Sequence, residues 1–339
     1  MLGLGLCLEV GAHVFFPRRS QPLFNDPNVF VRGRPYVEAH PTRGFALRPG
    51  FTNGEMHINA AGLRGKELTG TLDGYDIVLA LGESSTFGWR VIDDQTYPAH
   101  LQREIDEMVV PRPVCVLNAG VPSYSSAQVE RYLSELLPRY RPSLVVASCL
   151  WNDALFACLP NWIPDYLVQQ SPRPWRKFML RHSAVYRALA VRDDSAPSGP
   201  VHNPRALDFY RSNLIEIARH CNRGGAKLVF LAPSVDPGHV PQTGMKIGRR
   251  TIPKSDFLTL LDAFVASLHA AAAEVGVPVI EHRLDSRDPE FTTYFLDPVH
   301  LTGKGNEMLA RDVADQIVAK GLLPGANRRV ATSQPPPGD

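Results

Sequence analysis

The sequence predicts an α/β fold, a three-layer α/β/α sandwich around a five-stranded parallel sheet. Two observations carry this. Short all-apolar runs recur along residues 75–320, and most are followed by a longer stretch with apolar residues at helical spacing. A strand apolar at every position is covered on both faces, and strands that alternate with helices are joined by crossovers and run parallel. A third observation places a ligand. Polar clusters follow the predicted strands, at the carboxyl edge where open α/β sheets bind.

The first strand is Ile77–Leu81, a run of five apolar residues. Asp93 or Asp94 then caps a helix with Tyr97, Leu101, Ile105 and Met108 at helical spacing. Val114–Leu117 is the second strand. A helix from about Ser126 to Arg139 follows, with Val129, Tyr132, Leu133, Leu136 and Leu137 on one face. Leu144–Leu150 is the third strand. A helix over 206–221 leads to the fourth, Leu228–Leu231, and an Ala/Leu-rich helix over 255–275 leads to the fifth, Val277–Ile280. A helix over 303–320 closes the domain, which spans 75–325. Around it lie an apolar N-terminal segment (1–20), a lead-in rich in Pro, Gly and Asn that reads as irregular or short-strand structure (21–74), an insertion at about 151–205, and a tail (326–339) expected to be disordered.

Composition narrows the function. The 339 residues carry 36 Lys+Arg against 34 Asp+Glu, a net +2, which argues against a nucleic-acid binder driven by phosphate neutralisation. Apolar residues make up 44% and charged residues 21%, ordinary for a globular chain. The five cysteines are an odd number without a C-x-x-C pair, so neither a disulfide framework nor a zinc site is expected. The P-loop, dinucleotide and H-E-x-x-H signatures do not occur, and neither metal nor organic cofactor is expected. Residues 2–16 are apolar apart from Glu9 and His13, and Pro17, Arg18 and Arg19 follow. This segment reads either as the remnant of a membrane anchor or as an amphipathic piece packed on the domain. The first reading puts the protein at a bacterial membrane or outside the cytoplasm, the second in the cytoplasm.

Four polar clusters fall on one edge of the predicted sheet: Gly82-Glu83-Ser84-Ser85-Thr86, Asn118-Ala119-Gly120, Trp151-Asn152-Asp153 and Asp297-Pro298-Val299-His300. A serine hydroxyl needs a base before it attacks a carbonyl, and His300 suits that task near neutral pH. Asp297, three residues earlier, fixes the imidazole tautomer in a Ser-His-Asp arrangement. The Ser84 and Gly120 N–H groups and the Asn152 amide supply three donors to a developing oxyanion. Ser85 is a rival nucleophile, less well spaced from Gly82. Trp151, beside Asn152, is the expected aromatic wall of the substrate pocket. Singly, each has a plainer reading as a turn residue, helix cap or solvated loop. Their order and their places beside strand ends point to catalysis. Within the insertion, 174–190 has helical apolar spacing and five basic residues in or beside it. A lid or membrane-surface helix is one reading; an ordinary packed helix with a solvated basic face is preferred.

These residues resemble the SGNH (GDSL-type) hydrolase superfamily over roughly 75–320. Gly82-Glu83-Ser84 is similar to the first block G-D-S, Gly120 to the second-block glycine, Leu150-Trp151-Asn152-Asp153 to G-x-N-D, and Asp297 with His300 to D-x-x-H. Glu83 and Leu150 depart from the pattern. The resemblance implies a flavodoxin-like sheet of order 2-1-3-4-5 and a serine esterase or acyl hydrolase acting on a small-molecule or glycan ester. An O-acyltransferase on a surface polysaccharide, or a binding protein that kept the fold, is the alternative. The lead-in, from Leu47 to Gly65, looks like that of membrane-anchored bacterial members.

Overall fold

The computed structural model describes residues 34–158, 202–282 and 289–328, without positions 69, 204, 248, 249 and 324, together with 183 and 185. The N-terminal segment, the predicted helix over 174–190 apart from positions 183 and 185, and most of the tail lie outside the described residues.

Five strands form the central sheet: β1 (Asp76–Gly82), β2 (Val114–Gly120), β3 (Leu144–Ser148), β4 (Lys227–Leu231) and β5 (Val279–Ile280). Their spatial order is β2-β1-β3-β4-β5, every pair parallel, as the flavodoxin-like order requires. Seven helices are used below: α1 (Ser84–Phe87), α2 (Tyr97–Asp106), α3 (Ser126–Tyr140), α4 (Trp151–Ala157), α5 (Ala206–Arg223), α6 (Lys254–Val275) and α7 (Gly303–Ala319).

Side chains alternate across a strand, so the all-apolar β1 feeds two cores. Val78 and Ala80 join Leu101, Ile105 and Val313 beneath α2 and α7. Leu79 and Leu81 join Leu133, Leu214 and Phe264 beneath α3, α5 and α6. The helix α6 is long and apolar enough to cross a membrane by length and composition alone, but Phe257, Leu261 and Phe264 bury it in this second core.

The lead-in contains short strands. Val37–His40 pairs antiparallel with Gly44–Leu47, and Phe45, Leu47, Ile58 and Leu63 are buried in the core shared with α3. The Arg64 N–H donates to the Asn118 carbonyl at 3.1 Å, laying the lead-in along the outer edge of β2. The third strand ends at Ser148 rather than at Leu150, because Leu150 is the N-cap of α4.

Candidate active site

The functional side chains sit where strands give way to helices. β1 turns directly into α1, and Ser84 is its first residue. The turn is tight: a Cβ on Gly82 would lie 2.3 Å from the Ser148 carbonyl and from the Thr86 hydroxyl. At its other end, Gly88 takes the left-handed conformation (φ 82°) and donates to the Ser84 carbonyl at 3.0 Å. The helix is thus fixed at both ends.

His300 arrives on the loop before α7. Its Nε2 lies 2.8 Å from Ser84 Oγ. Its Nδ1 lies 2.7 Å from Asp297 Oδ2. Asp297 Oδ1 also accepts the backbone N–H of Val299 at 3.1 Å and of His300 at 3.0 Å. Burial works to raise the Asp297 carboxyl, but the bond to His300, its charge and the two N–H groups outweigh it and hold the group below the ordinary carboxylate range. Thr302 caps α7 by accepting the Gly305 N–H at 3.2 Å. Ser85, the rival nucleophile, donates to the Val299 carbonyl at 3.3 Å and so braces the His300 loop.

Two expected oxyanion donors are engaged elsewhere. The Gly120 N–H donates to Asn118 Oδ1 at 3.0 Å, within its own strand. Its missing side chain serves the protein's own backbone: a Cβ there would lie 2.1 Å from Phe87 N, so Gly120 lets α1 sit on the end of β2. The Asn152 amide donates to Glu83 Oε2 and, at 3.0 Å, to the Tyr124 carbonyl. Trp151 is also displaced from its expected place. It is 6% exposed and packs edge-on against Phe257, ring centres 5.3 Å apart, in the core.

Sequence reasoning missed three residues. Trp89, half-buried just after α1, has its ring 6.5 Å from that of His300. Ser123, in the loop leaving β2, is held at φ 68°, where a non-glycine residue is strained and persists only when its surroundings dictate it. Arg64 is buried behind α1. It donates to the carbonyls of Phe87 (2.8 Å), Gly88 (2.5 Å) and Val91 (2.5 Å) and to Asp93 (2.9 Å). Trp89 and Ser123 gave no signal in the sequence, and the Arg64 contacts span 23 to 29 positions.

Behind the serine lies a buried acidic pair. Glu83 accepts the N–H groups of Leu150 (3.3 Å), Trp151 (3.0 Å) and Asn152 (3.1 Å), capping α4 from a different element. Asp153 accepts from Ser126 N at 2.8 Å and from Ser126 Oγ at 2.6 Å, anchoring the start of α3. Burial pushes Glu83 up to about 8, with the Asp153 charge adding and the N–H bonds opposing. Burial likewise lifts Asp153 to about 7 against its bonds from Ser126. Among the described residues no group of three or more His, Cys, Asp or Glu can hold a metal ion.

Residues 80–308 match the model of the GDSL-like lipase/acylhydrolase family. The chain belongs to that family. This acylhydrolase is therefore an ester hydrolase by family, with the parallel sheet described above. Solved structures similar to it include TesA (19% identity, TM-score 0.46, covering 73% of this chain and all of that one). A lipase/acylhydrolase from Enterococcus faecalis is 16% identical (TM-score 0.45, 76% of this chain and 100% of that one). A mutant of Axe2, an acetyl-xylooligosaccharide esterase from Geobacillus stearmophilus, is 14% identical (TM-score 0.46, 73% and 96%). No curated protein matches the acylhydrolase sequence.

Proposed function

We propose that this acylhydrolase is a serine esterase that works through an acyl-enzyme on Ser84. The observation that carries the reading is the continuous chain from Ser84 Oγ to His300 Nε2 (2.8 Å) and from His300 Nδ1 to Asp297 (2.7 Å). Ser84 Oγ attacks the ester carbonyl carbon while its proton passes to His300 Nε2. Asp297 keeps the other ring proton on Nδ1 and stabilises the imidazolium. Collapse of the tetrahedral intermediate breaks the bond to the alcohol oxygen, which takes the proton from His300. Water then loses a proton to His300 and attacks the acyl carbon; the bond to Ser84 Oγ breaks, Oγ takes that proton back from His300, and the acid leaves.

The oxyanion is held by the Ser84 N–H at the start of α1. The Asn152 amide joins it by exchanging its Glu83 or Tyr124 contact for the oxyanion. The Gly120 N–H is held by Asn118 Oδ1 and joins only by the same kind of exchange. Trp89, whose ring is 6.5 Å from that of His300, is the aromatic group beside the triad. The substrate is a carboxylic ester of a small molecule or glycan. Transfer of the acyl group to a sugar hydroxyl uses the same steps with that hydroxyl in place of water.

Hydrolysis of 4-nitrophenyl acetate by wild type and by Ser84→Ala tests the reading. The variant is expected to lose at least about a thousandfold in kcat, the scale seen when a triad nucleophile is removed. Equal rates would remove Ser84 from the mechanism.

A further inference from the structure

The pattern D-P-x-H occurs twice in the chain, as Asp297-Pro298-Val299-His300 and as Asp236-Pro237-Gly238-His239. The second copy lies on the connection that leaves β4, at the same carboxyl edge of the sheet as Ser84. The two copies are built alike. Asp236 Oδ1 accepts the Gly238 N–H at 2.7 Å, as Asp297 Oδ1 accepts that of Val299 at 3.1 Å. Asp236 Oδ2 lies 2.5 Å from His239 Nδ1, as Asp297 Oδ2 lies 2.7 Å from His300 Nδ1. The loops are also joined. The Asp236 N–H donates to the Pro298 carbonyl, in the middle of the first copy, at 2.9 Å.

The difference between the copies is what Nε2 meets. In the first it meets Ser84 Oγ. In the second, Asp236 is 2% exposed, whereas the His239 side chain is 34% exposed. Burying a carboxylate is costly unless it is paired and hydrogen-bonded. Here the buried carboxylate orients one half-exposed ring. With Nδ1–H directed at Asp236, Nε2 carries the lone pair and accepts a hydrogen bond from an incoming donor. A hydroxyl group is the neutral donor that suits it.

The side of the substrate follows from the chemistry of the first copy. His300 must reach the oxygen of the departing alcohol to protonate it. The alcohol portion therefore begins beside His300, on the loop to which Asp236 is bonded. We propose that His239, oriented by Asp236, forms a subsite for a hydroxyl group on the alcohol portion of the ester, and that the preferred substrates are esters of polyhydroxylated alcohols. This subsite rests on the Ser84 esterase reading.

The test compares kcat/KM on 4-nitrophenyl acetate, whose leaving group has no further hydroxyl, with kcat/KM on mono-acetylated glucose. Both are measured for wild type, His239→Leu and His239→Gln. His239→Leu is expected to lose at least about tenfold more on the sugar ester than on the aryl ester, with His239→Gln, which keeps a polar tip, in between. Losses equal on the two substrates would make the second motif a structural brace and overturn the subsite. A wild-type enzyme that cleaves the aryl ester but not the sugar ester would overturn it too. If His239→Leu does not fold, His239→Gln is judged by the same ratio. Failure of the esterase reading shows separately, as aryl-ester hydrolysis that survives Ser84→Ala.

Discussion

Glu83 takes both the backbone N–H and the side-chain amide of Asn152 on a single carboxylate oxygen. The residue beside the serine is thereby bonded to the residue expected to serve the oxyanion. The same carboxylate caps the first turn of α4, so it ties the end of β1 to the turn that follows β3. Removing it leaves three buried backbone N–H groups without an acceptor, while the Asn152 amide keeps the Tyr124 carbonyl. Each unsatisfied buried group costs about 1–3 kcal/mol. Glu83→Ala is accordingly expected to cost at least about 3 kcal/mol in chemical denaturation, since a cavity adds to the lost bonds. A loss below about 1 kcal/mol would mean that α4 holds its place without this cap.

The raised Glu83 and Asp153 carboxyls make a second expectation, in pH. For a carboxyl lifted from 4.5 to about 8, the folded state holds the proton where the unfolded state has released it. Stability contributed by that group falls as pH rises between those values. Asp153, lifted to about 7, acts in the same direction. Asp297 acts oppositely. Its depressed carboxyl adds stability above its unfolded value, and this is lost as pH falls through the folded one. Unfolding free energies of wild type and Glu83→Gln at pH 5 and pH 8 separate the Glu83 part. The difference between them should shift in favour of Glu83→Gln on going to pH 8. A difference independent of pH would show that Glu83 titrates normally.

The sheet was legible in the sequence because strands buried on both faces are written as unbroken apolar runs, from Ile77–Leu81 onward. The Asp297/His300 pair was legible because its spacing is local. Gly120 was legible as a close approach, but a glycine reads the same whether the neighbour is a substrate or Phe87. Asn152 and Trp151 were read from their position after a strand, and nothing local reveals that the amide is bonded by Glu83 or that the indole turns into the core. Arg64 was out of reach for the same reason. Its partners lie in another part of the chain, and only the fold brings them together.

Arg64 reaches three carbonyls at and beyond the end of α1 as well as Asp93, and its guanidinium lies 4.4 Å from the centre of the Phe87 ring. The lead-in thereby holds the far end of the short helix that begins with Ser84. A lysine keeps the charge but has no planar fork to bond several carbonyls at once. Arg64→Lys is expected to lower kcat on 4-nitrophenyl acetate by about tenfold with KM little changed, because the helix loosens without altering the substrate's surroundings. An unchanged kcat in a folded variant would leave the positioning of Ser84 to Gly82 and Gly88 alone.

Gly120 supplies the sharpest mechanical test of how α1 is seated. An added Cβ would stand 2.1 Å from Phe87 N, 2.6 Å from Phe87 Cα and 2.6 Å from the Thr86 carbonyl carbon. All three are backbone atoms, so no side chain can swing aside. Gly120 itself is not among the residues with positive φ, so alanine meets no conformational penalty of its own. Any effect of Gly120→Ala therefore reports displacement of α1 from the end of β2. Overpacking of this kind typically costs about 1–3 kcal/mol, and contact with rigid backbone puts this position at the upper end. The displacement carries Ser84 with it, away from a His300 ring fixed by Asp297 on a separate loop. The expected result is a stability loss of roughly 2–3 kcal/mol and a fall in kcat of at least about a hundredfold, the scale reported for an ångström of misplacement. An unchanged kcat in a folded Gly120→Ala would show instead that β2 yields to the added methyl group without moving Ser84.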